Sequence, residues 1–239
     1  MTVLASPWRS AARSETGKVR ARNEDAVLER PGAGLWAVAD GMGGHAGGAL
    51  ASRLIVDGLA DLALEGGLTQ RLAQVRQCLQ QANRQLVQAA THAAGPTGST
   101  LVVLLAAGAR VVCLWAGDSR CYLWRAGRLY QLSRDHSLER RLIDRQGLRP
   151  QQAARHPNAQ ALTRAVGVDE QLVLDSLELE ALPGDRFLLC SDGLHRNLAP
   201  PALGAALDLP LATLAIERLF AQALAGPARD NLSAVVIRR

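Results

Sequence analysis

Aromatic residues are scarce, at 3% of 239 residues, and the net charge of +5 arises from scattered arginines rather than from one block. A nucleic-acid-binding face shows clustered Lys and Arg interleaved with aromatics, so this composition excludes one and leaves only a mild preference for phosphorylated or acidic partners. No apolar run approaches the roughly 20 residues that span a bilayer. The opening MTVLASPWRSAARSE carries no apolar signal core, so a soluble, cytoplasmic chain with no membrane partner is expected. Cys78, Cys113, Cys121 and Cys190 include no C-x-x-C spacing. Three of them lie within apolar runs, as reduced buried thiols do, and no Cys or His pairs stand at zinc-ligand spacing. Fixed-period repeats and linkers are also missing, so one domain over residues 1–239 and a monomer are expected.

What is present is organised around Leu35 to Gly48, LWAVADGMGGHAGG. Its apolar start suits a strand buried on both faces. That run stops at Asp40, and glycines follow that permit tight turns and close backbone approach. A carboxylate delivered by a buried strand is costly unless a positive charge meets it. Upstream, Asn23-Glu24-Asp25 precedes Ala26-Val-Leu and a Pro31-Gly32 turn, which predicts a hairpin bringing these acids beside Asp40.

Further along, Ala49–Leu64 and Leu68 to about Ala94 carry apolar residues at helical spacing, as an amphipathic pair. Strands follow at Leu101–Leu105, Val111–Ala116 and Cys121–Trp124, with a turn at Ala126-Gly127, so antiparallel pairing is expected. Residues 135–161 are polar, arginine-rich and broken by Gly147, Pro150 and Pro157, with one short helix from about Leu138 to Arg145. They suit a flap beside a site. His136 and His156 fall in this region and His92 near a helix end; none is read as a ligand. A strand over Leu172–Leu179, another at Arg186–Cys190, a helical region at Pro200–Ala225 and a last strand at Ala234–Ile237 complete the chain; residues 1–14 are read as a polar lead-in.

Asp25, Asp40, Asp118, Asp192 and Asp230 each stand where an apolar strand meets a turn. If those strands are central, the carboxylates converge at one end, and oxygen-only donors suit Mg²⁺ or Mn²⁺. Calcium lacks its compact D-x-D-x-D-G loop. A competing pattern, Gly41-Met-Gly43-Gly-His-Ala46 with Asp61 beyond, fits a dinucleotide fingerprint. Against it, a helix follows the first helix, where that fold requires a second parallel strand.

Several further motifs occur in order: Gly17-x-x-Arg20 before Asn23-Glu24-Asp25, Asp40-Gly-Met-Gly-Gly-His45, Gly98-Ser-Thr, Gly117-Asp118-Ser-Arg, Leu162-Thr-Arg-Ala-Val-Gly, Ser191-Asp192-Gly-Leu and Asp230-Asn231. Together they resemble the metal-dependent serine/threonine protein phosphatases of the 2C type, in their bacterial form, from about Gly17 to Ile237. The resemblance implies an α+β fold, a four-layer α/β/β/α sandwich of two antiparallel sheets flanked by helical hairpins, with a small flap. It implies two Mn²⁺ or Mg²⁺ ions, Asp40 bridging them with help from the Gly41 carbonyl, and Asp25, Asp192 and Asp230 as further ligands. Glu24 and Asn231 lie behind these ligands, and Asp118 matches the position that helps hold a third, weaker ion. Arg20 matches the arginine that grips the substrate phosphate, and His45 matches a residue proposed as general acid to the leaving alkoxide.

The implied reaction is hydrolysis of phosphoserine and phosphothreonine on proteins by a metal-activated water, without a covalent intermediate. The implied partners are phosphoproteins and a cognate serine/threonine kinase pathway; small stand-alone relatives include regulators of type VI secretion. The chain ends just after its last strand, so a free-standing catalytic domain is expected. The alternative is a phosphoprotein-binding regulatory module with little turnover.

Overall fold

The computed structural model describes residues 8–43, 47–90 and 97–239. Eleven strands are found among them: β1 (Arg9–Glu15), β2 (Asp25–Arg30), β3 (Leu35–Met42), β4 (Gly98–Ser99), β5 (Leu101–Ala107), β6 (Arg110–Ala116), β7 (Arg120–Arg125), β8 (Arg128–Gln131), β9 (Asp175–Glu180), β10 (Arg186–Cys190) and β11 (Leu232–Arg238). They form two sheets, ordered β1-β11-β10-β7-β8 and β2-β3-β5-β6-β9, with β4 added beside β3. Every pairing is antiparallel. The helices are α1 (Gly47–Ala60), α2 (Leu68–Ala90), α3 (Leu138–Gln146), α4 (Pro150–Ala153), α5 (Asp192–His195), α6 (Pro200–Leu207) and α7 (Ala212–Ala225). No described helix is long and apolar enough to cross a membrane.

The continuous apolar runs are explained by burial on both faces. Along β3, Leu35, Ala37 and Ala39 pack with Ile55, Leu59, Leu79 and Leu86 of α1 and α2. The alternate residues Trp36 and Val38 pack with Phe187, Leu189 and Val235 of the other sheet. On β11 the same period of two sends Ala234 and Val236 toward Ile216, Leu219 and Phe220 of α7, and Val235 and Ile237 between the sheets. Three apolar layers therefore separate helix pair, sheet, sheet and helix pair, which is the four-layer sandwich. Cys113, Cys121 and Cys190 are buried and free.

The strands around β3 are antiparallel neighbours β2 and β5, and α1 leads into α2. No parallel strand–helix–strand unit is available to the glycine-rich stretch, which removes the dinucleotide reading. Other differences are local. From Arg9 onward the lead-in is in fact the edge strand β1, paired with β11 from Arg9↔Arg238 to Glu15↔Leu232. Its RSAARSE sequence alternates only small and polar residues, too weak a signal to register as a strand. The helical region at Pro200–Ala225 is two helices, and the strand expected at Leu172 starts at Asp175. The flap region holds α3, capped by the Ser137 side chain and by left-handed Gly147, and also the short α4. Its neck is zipped by the N–H groups of Leu138 and Glu139, which donate to the carbonyls of Ala161 and Ala159.

Candidate active site

The acid end of the molecule continues the layer between the sheets. Asp25 lies directly opposite Asp40 across β2 and β3, two residues beyond the Val27↔Val38 pair. Both therefore occupy inward positions of the pleat, where Val38 fills the apolar middle. From the facing sheet, Ser191 Oγ donates to Asp25 Oδ2 at 2.8 Å, while the Ser191 N–H donates to the Ser233 carbonyl at 3.0 Å. Asp25 Oδ1 is buried and, among the described residues, has no hydrogen-bond partner.

Asp40 joins Asp118, Asp192 and Asp230 on the wall of a cleft of about 660 Å³, with Arg20, Glu24, Gly41, Asn231 and Arg196 also lining it. The backbone around Asp40 is held firmly. Its N–H donates to Thr100 Oγ1 at 3.2 Å, and its carbonyl accepts from the Thr100 N–H at 2.9 Å and the Ser99 hydroxyl at 3.0 Å. Gly41 donates to the Glu24 carbonyl at 3.1 Å. A Cβ at Gly41 would run into the carbonyl of Gly48 at the start of α1, so only glycine lets β2, β3 and α1 meet here. Asn231 ties the other side: its Oδ1 accepts from the Glu24 N–H at 2.9 Å, and its Nδ2 donates to the carbonyls of Thr16 at 2.9 Å and Arg22 at 3.0 Å.

The electrostatics are those of crowded carboxylates. Burial, followed by the charges of Asp192 and Asp230, pushes Asp25 up to about 7, although hydrogen bonds from Ser233 and Ser191 work the other way. Burial and then the Asp25 and Asp192 charges hold Asp40 well above the carboxylate range. Burial and the Asp192 charge lift Asp118 to about 6, opposed by Arg196. Asp192 is raised by burial, again against Arg196. Such a set of like charges ionises together only when positive charge enters among them.

Two arginines already stand at its rim. Arg20 Nη2 meets Asp230 Oδ2 at 2.7 Å, with both side chains half-exposed. Arg196 meets Asp118 at 2.8 Å and Asp192 at 3.2 Å. Among the described residues, no three His, Cys, Asp or Glu side chains are gathered around one ion-sized point. Three of the acids are instead turned toward these guanidinium groups. The donor chemistry nonetheless fits hard divalent cations, since it offers oxygen only and includes an unpartnered buried carboxylate oxygen on Asp25. Magnesium-like ions use one or two carboxylates and keep several waters, so an open cleft suits them better than a closed cage.

All of the sequence-derived residues meet here except His45, which lies outside the described residues, as does His92. His136 has a structural place: it stacks on Trp115 with ring centroids 6.3 Å apart, and its Nε2 lies 3.1 Å from Asp175. Reading the sequence did not single out His195 or Arg196. His195, kept neutral by burial with its pKa lowered to about 3, donates from Nε2 to the Asp118 carbonyl at 3.0 Å. Arg196 could have been found from its spacing, four residues after Asp192 on one helical turn. Thr163 and Arg164, at the base of the flap region, also line the cleft.

Comparison with known proteins places this sandwich and its acidic, arginine-rimmed cleft in a class. The protein phosphatase 2C family model matches residues 17–225, and the chain belongs to that family. The structure is similar to that of PppA, a regulatory component of the type VI secretion system in Pseudomonas aeruginosa: 44% identity, 97% of each chain covered, TM-score 0.89. The sequence is 39% identical to the serine/threonine protein phosphatase PstP of Mycobacterium tuberculosis, over 95% of this chain and 44% of PstP. The chain thus spans less than half the length of that relative. The catalytic domain of PstP in complex with two manganese ions superposes with a TM-score of 0.82 at 35% identity, covering 97% of each chain. The serine/threonine phosphatase Stp of Listeria welshimeri is 35% identical over 79% of this chain and 78% of its own length.

Proposed function

We propose that this chain is one catalytic unit, with a flap at about 135–161, that hydrolyses phosphoserine and phosphothreonine on proteins using two Mn²⁺ or Mg²⁺ ions. The observation that carries this reading is the convergence of Asp40, Asp192 and Asp230 on one cleft wall, with Asp25 directly opposite Asp40 across the strand pair and carrying a buried, orphaned Oδ1. Asp40, the Gly41 carbonyl, Asp25, Asp192 and Asp230 would hold the ions. The ions would supply an activated water as nucleophile and offset charge on the transferring phosphoryl group.

The chain's own residues do the rest. Arg20, held to Asp230 only by a half-exposed pair, presents a planar fork to the substrate phosphate. Thr100 and Asn231 hold the backbones of Asp40 and Glu24 in place. Glu24 lines the cleft beside them. His45 is proposed as the acid that protonates the departing serine or threonine oxygen. Likeness to PppA supports a role in type VI secretion control; the phosphoserine and phosphothreonine it would remove are the products of a serine/threonine kinase.

The test is hydrolysis of p-nitrophenyl phosphate and of a phosphothreonine peptide by metal-stripped protein, with Mn²⁺, Mg²⁺, Ca²⁺ or nothing returned. Activity restored by Mn²⁺ and lost in Asp192→Asn is expected. A folded protein that binds the phosphopeptide through Arg20 but shows no turnover with any metal would establish the binding-module alternative instead.

A further inference from the structure

The two arginines at the rim differ in how they are held. Arg20 and Asp230 form a half-exposed pair, with side chains 54% and 39% accessible. Such pairs contribute little to stability, so breaking this one costs little. Arg196 is placed differently. Its partner Asp118 has a side chain only 5% accessible, at 2.8 Å from Nη2, while Nη1 reaches Asp192 at 3.2 Å. The Arg196 N–H also donates to the Asp192 carbonyl at 2.9 Å, so one turn of chain fixes the guanidinium over both carboxylates. The Asp118 backbone is pinned from the other side by His195 at 3.0 Å. Withdrawing Arg196 would leave a buried carboxylate uncompensated, a change that strongly destabilises folded proteins.

Resting on the two-ion reading above, we infer that Arg196 is a built-in counter-cation for Asp118, so that Asp118 is not a metal ligand in this chain and the cleft holds two divalent cations, not three. A divalent ion at Asp118 would have to share its carboxylate with a guanidinium and would be repelled by it at close range. Asp192 is more open, at 19% side-chain accessibility against 5% for Asp118, and meets the guanidinium only as a 3.2 Å ion pair where Asp118 receives a 2.8 Å hydrogen bond, so Asp192 is the acid left to a cation. Arg196 is accordingly a positioning residue: it sets how many ions the acid cluster accepts and orients Asp192 among them.

The experiment is equilibrium dialysis of the full chain against Mn²⁺, followed by metal analysis, with circular dichroism and melting recorded for each variant. The wild type is expected to hold two ions. Arg196→Met, which keeps the length and apolar stem but removes the charge, is expected to hold three at the same free Mn²⁺, the third more weakly. Adding Asp118→Asn to that variant should return the count to two. Asp118→Asn alone should still hold two, which keeps the test decisive if Arg196→Met does not fold. Three ions in the wild type, two in folded Arg196→Met, or loss of an ion in Asp118→Asn alone would each overturn the inference while leaving the metal centre in place. A folded wild type that holds none would remove the two-ion reading itself, and the inference with it.

Discussion

The layer between the two sheets contains two regions built on the same strands. In its middle the inward positions carry Trp36, Val38, Val102, Leu104, Leu189 and Val235. At its end the next inward positions along those strands carry Asp40, Thr100, Ser191 and Ser233, with Asp25 opposite Asp40. Backbone geometry is continuous from one region to the other, and only the side-chain chemistry changes. The middle gains stability from exclusion of water. The end sacrifices stability, because its carboxylates are desolvated and repel one another. The sandwich is thus a rigid dry frame that holds an unfavourable cluster of charge in place at its rim, as sites built on rigid elements require.

The largest expected effect lies in the dry region. Trp36 is fully buried, donates from Nε1 to Ser10 Oγ at 3.0 Å and meets Trp8 edge-on with ring centroids 5.6 Å apart. Trp36→Ala should lower stability by about 3–5 kcal/mol through the cavity it leaves. For a chain of this size that is a fall in melting temperature of roughly 6–20 °C. Wherever the variant remains folded, its Mn²⁺ affinity should stay at the wild-type value. A loss of Mn²⁺ binding in the folded variant would show that the two regions are not separable.

Asp40→Asn should do the reverse. Phosphopeptide hydrolysis should fall by about 10²–10³-fold, the scale associated with removing one preorganised electrostatic group. The melting temperature of the metal-free protein should meanwhile rise, because a buried acid that is costly to ionise among its neighbours and costly to hold protonated at neutral pH is gone. Retained turnover, or a lower metal-free melting temperature, would contradict the assignment of Asp40 to the centre of the cluster.

A pH series separates the regions next. Asp25 at about 7 and Asp118 at about 6 are raised above their unfolded values near 3.8. Between about pH 4 and 7 the native state then binds more protons than the unfolded chain, so stability of the metal-free protein falls as pH rises through that window. His195, lowered to about 3, works the other way below its unfolded value near 6.5 and makes the fall shallower there, while Asp40, raised well above the carboxylate range, carries the fall beyond pH 7. Saturating Mn²⁺, which favours the ionised carboxylates, should reverse the trend at neutral pH and add about 2.7 kcal/mol at a hundredfold excess over Kd. Trp36→Ala should displace the whole metal-free curve downward with its slope intact, whereas Asp40→Asn should flatten it. A metal-free melting temperature that climbs from pH 5 to 7 would refute the crowded-acid account.

These contrasts also explain what could be read from the sequence. Strand middles such as Leu35–Ala39 and Leu101–Leu105 advertise burial on both faces, and an Asp where each run stops marks the change of chemistry. Hence antiparallel strands buried on both faces and most of the acid cluster were legible in the residues, whereas the four-layer sandwich followed from the resemblance to the phosphatase family. Polar contacts made across long sequence separations were not. Asn231 reaching Glu24, Thr16 and Arg22, or His195 reaching Asp118, has no local signature. The edge strand β1 was missed because its pairing with β11 comes from backbone hydrogen bonds and small residues rather than from an apolar run. Arg196 was missed because it lies at the surface and its buried partner Asp118, 78 residues away, is brought to it only by the fold.

The smallest effect should arise where the two regions meet. Thr100 is buried; its Oγ1 accepts from the Asp40 N–H at 3.2 Å and lies 2.7 Å from Ser119 Oγ. Its shape belongs to the dry side and its hydroxyl to the wet side, so Thr100→Val removes only the second. The loss should be about 1 kcal/mol of stability, the net worth of a typical buried hydrogen bond. Asp40 would still be held through its carbonyl by the Thr100 N–H and the Ser99 hydroxyl, so it loosens rather than leaves. Turnover should therefore fall only about fivefold, equivalent to roughly 1 kcal/mol in the barrier. Thr100→Ser, which restores the hydroxyl but forfeits the methyl packing, should recover turnover and not stability. Were Thr100→Ser to recover stability but not turnover, the boundary would lie elsewhere, and the hydroxyl would count as packing rather than as support for Asp40.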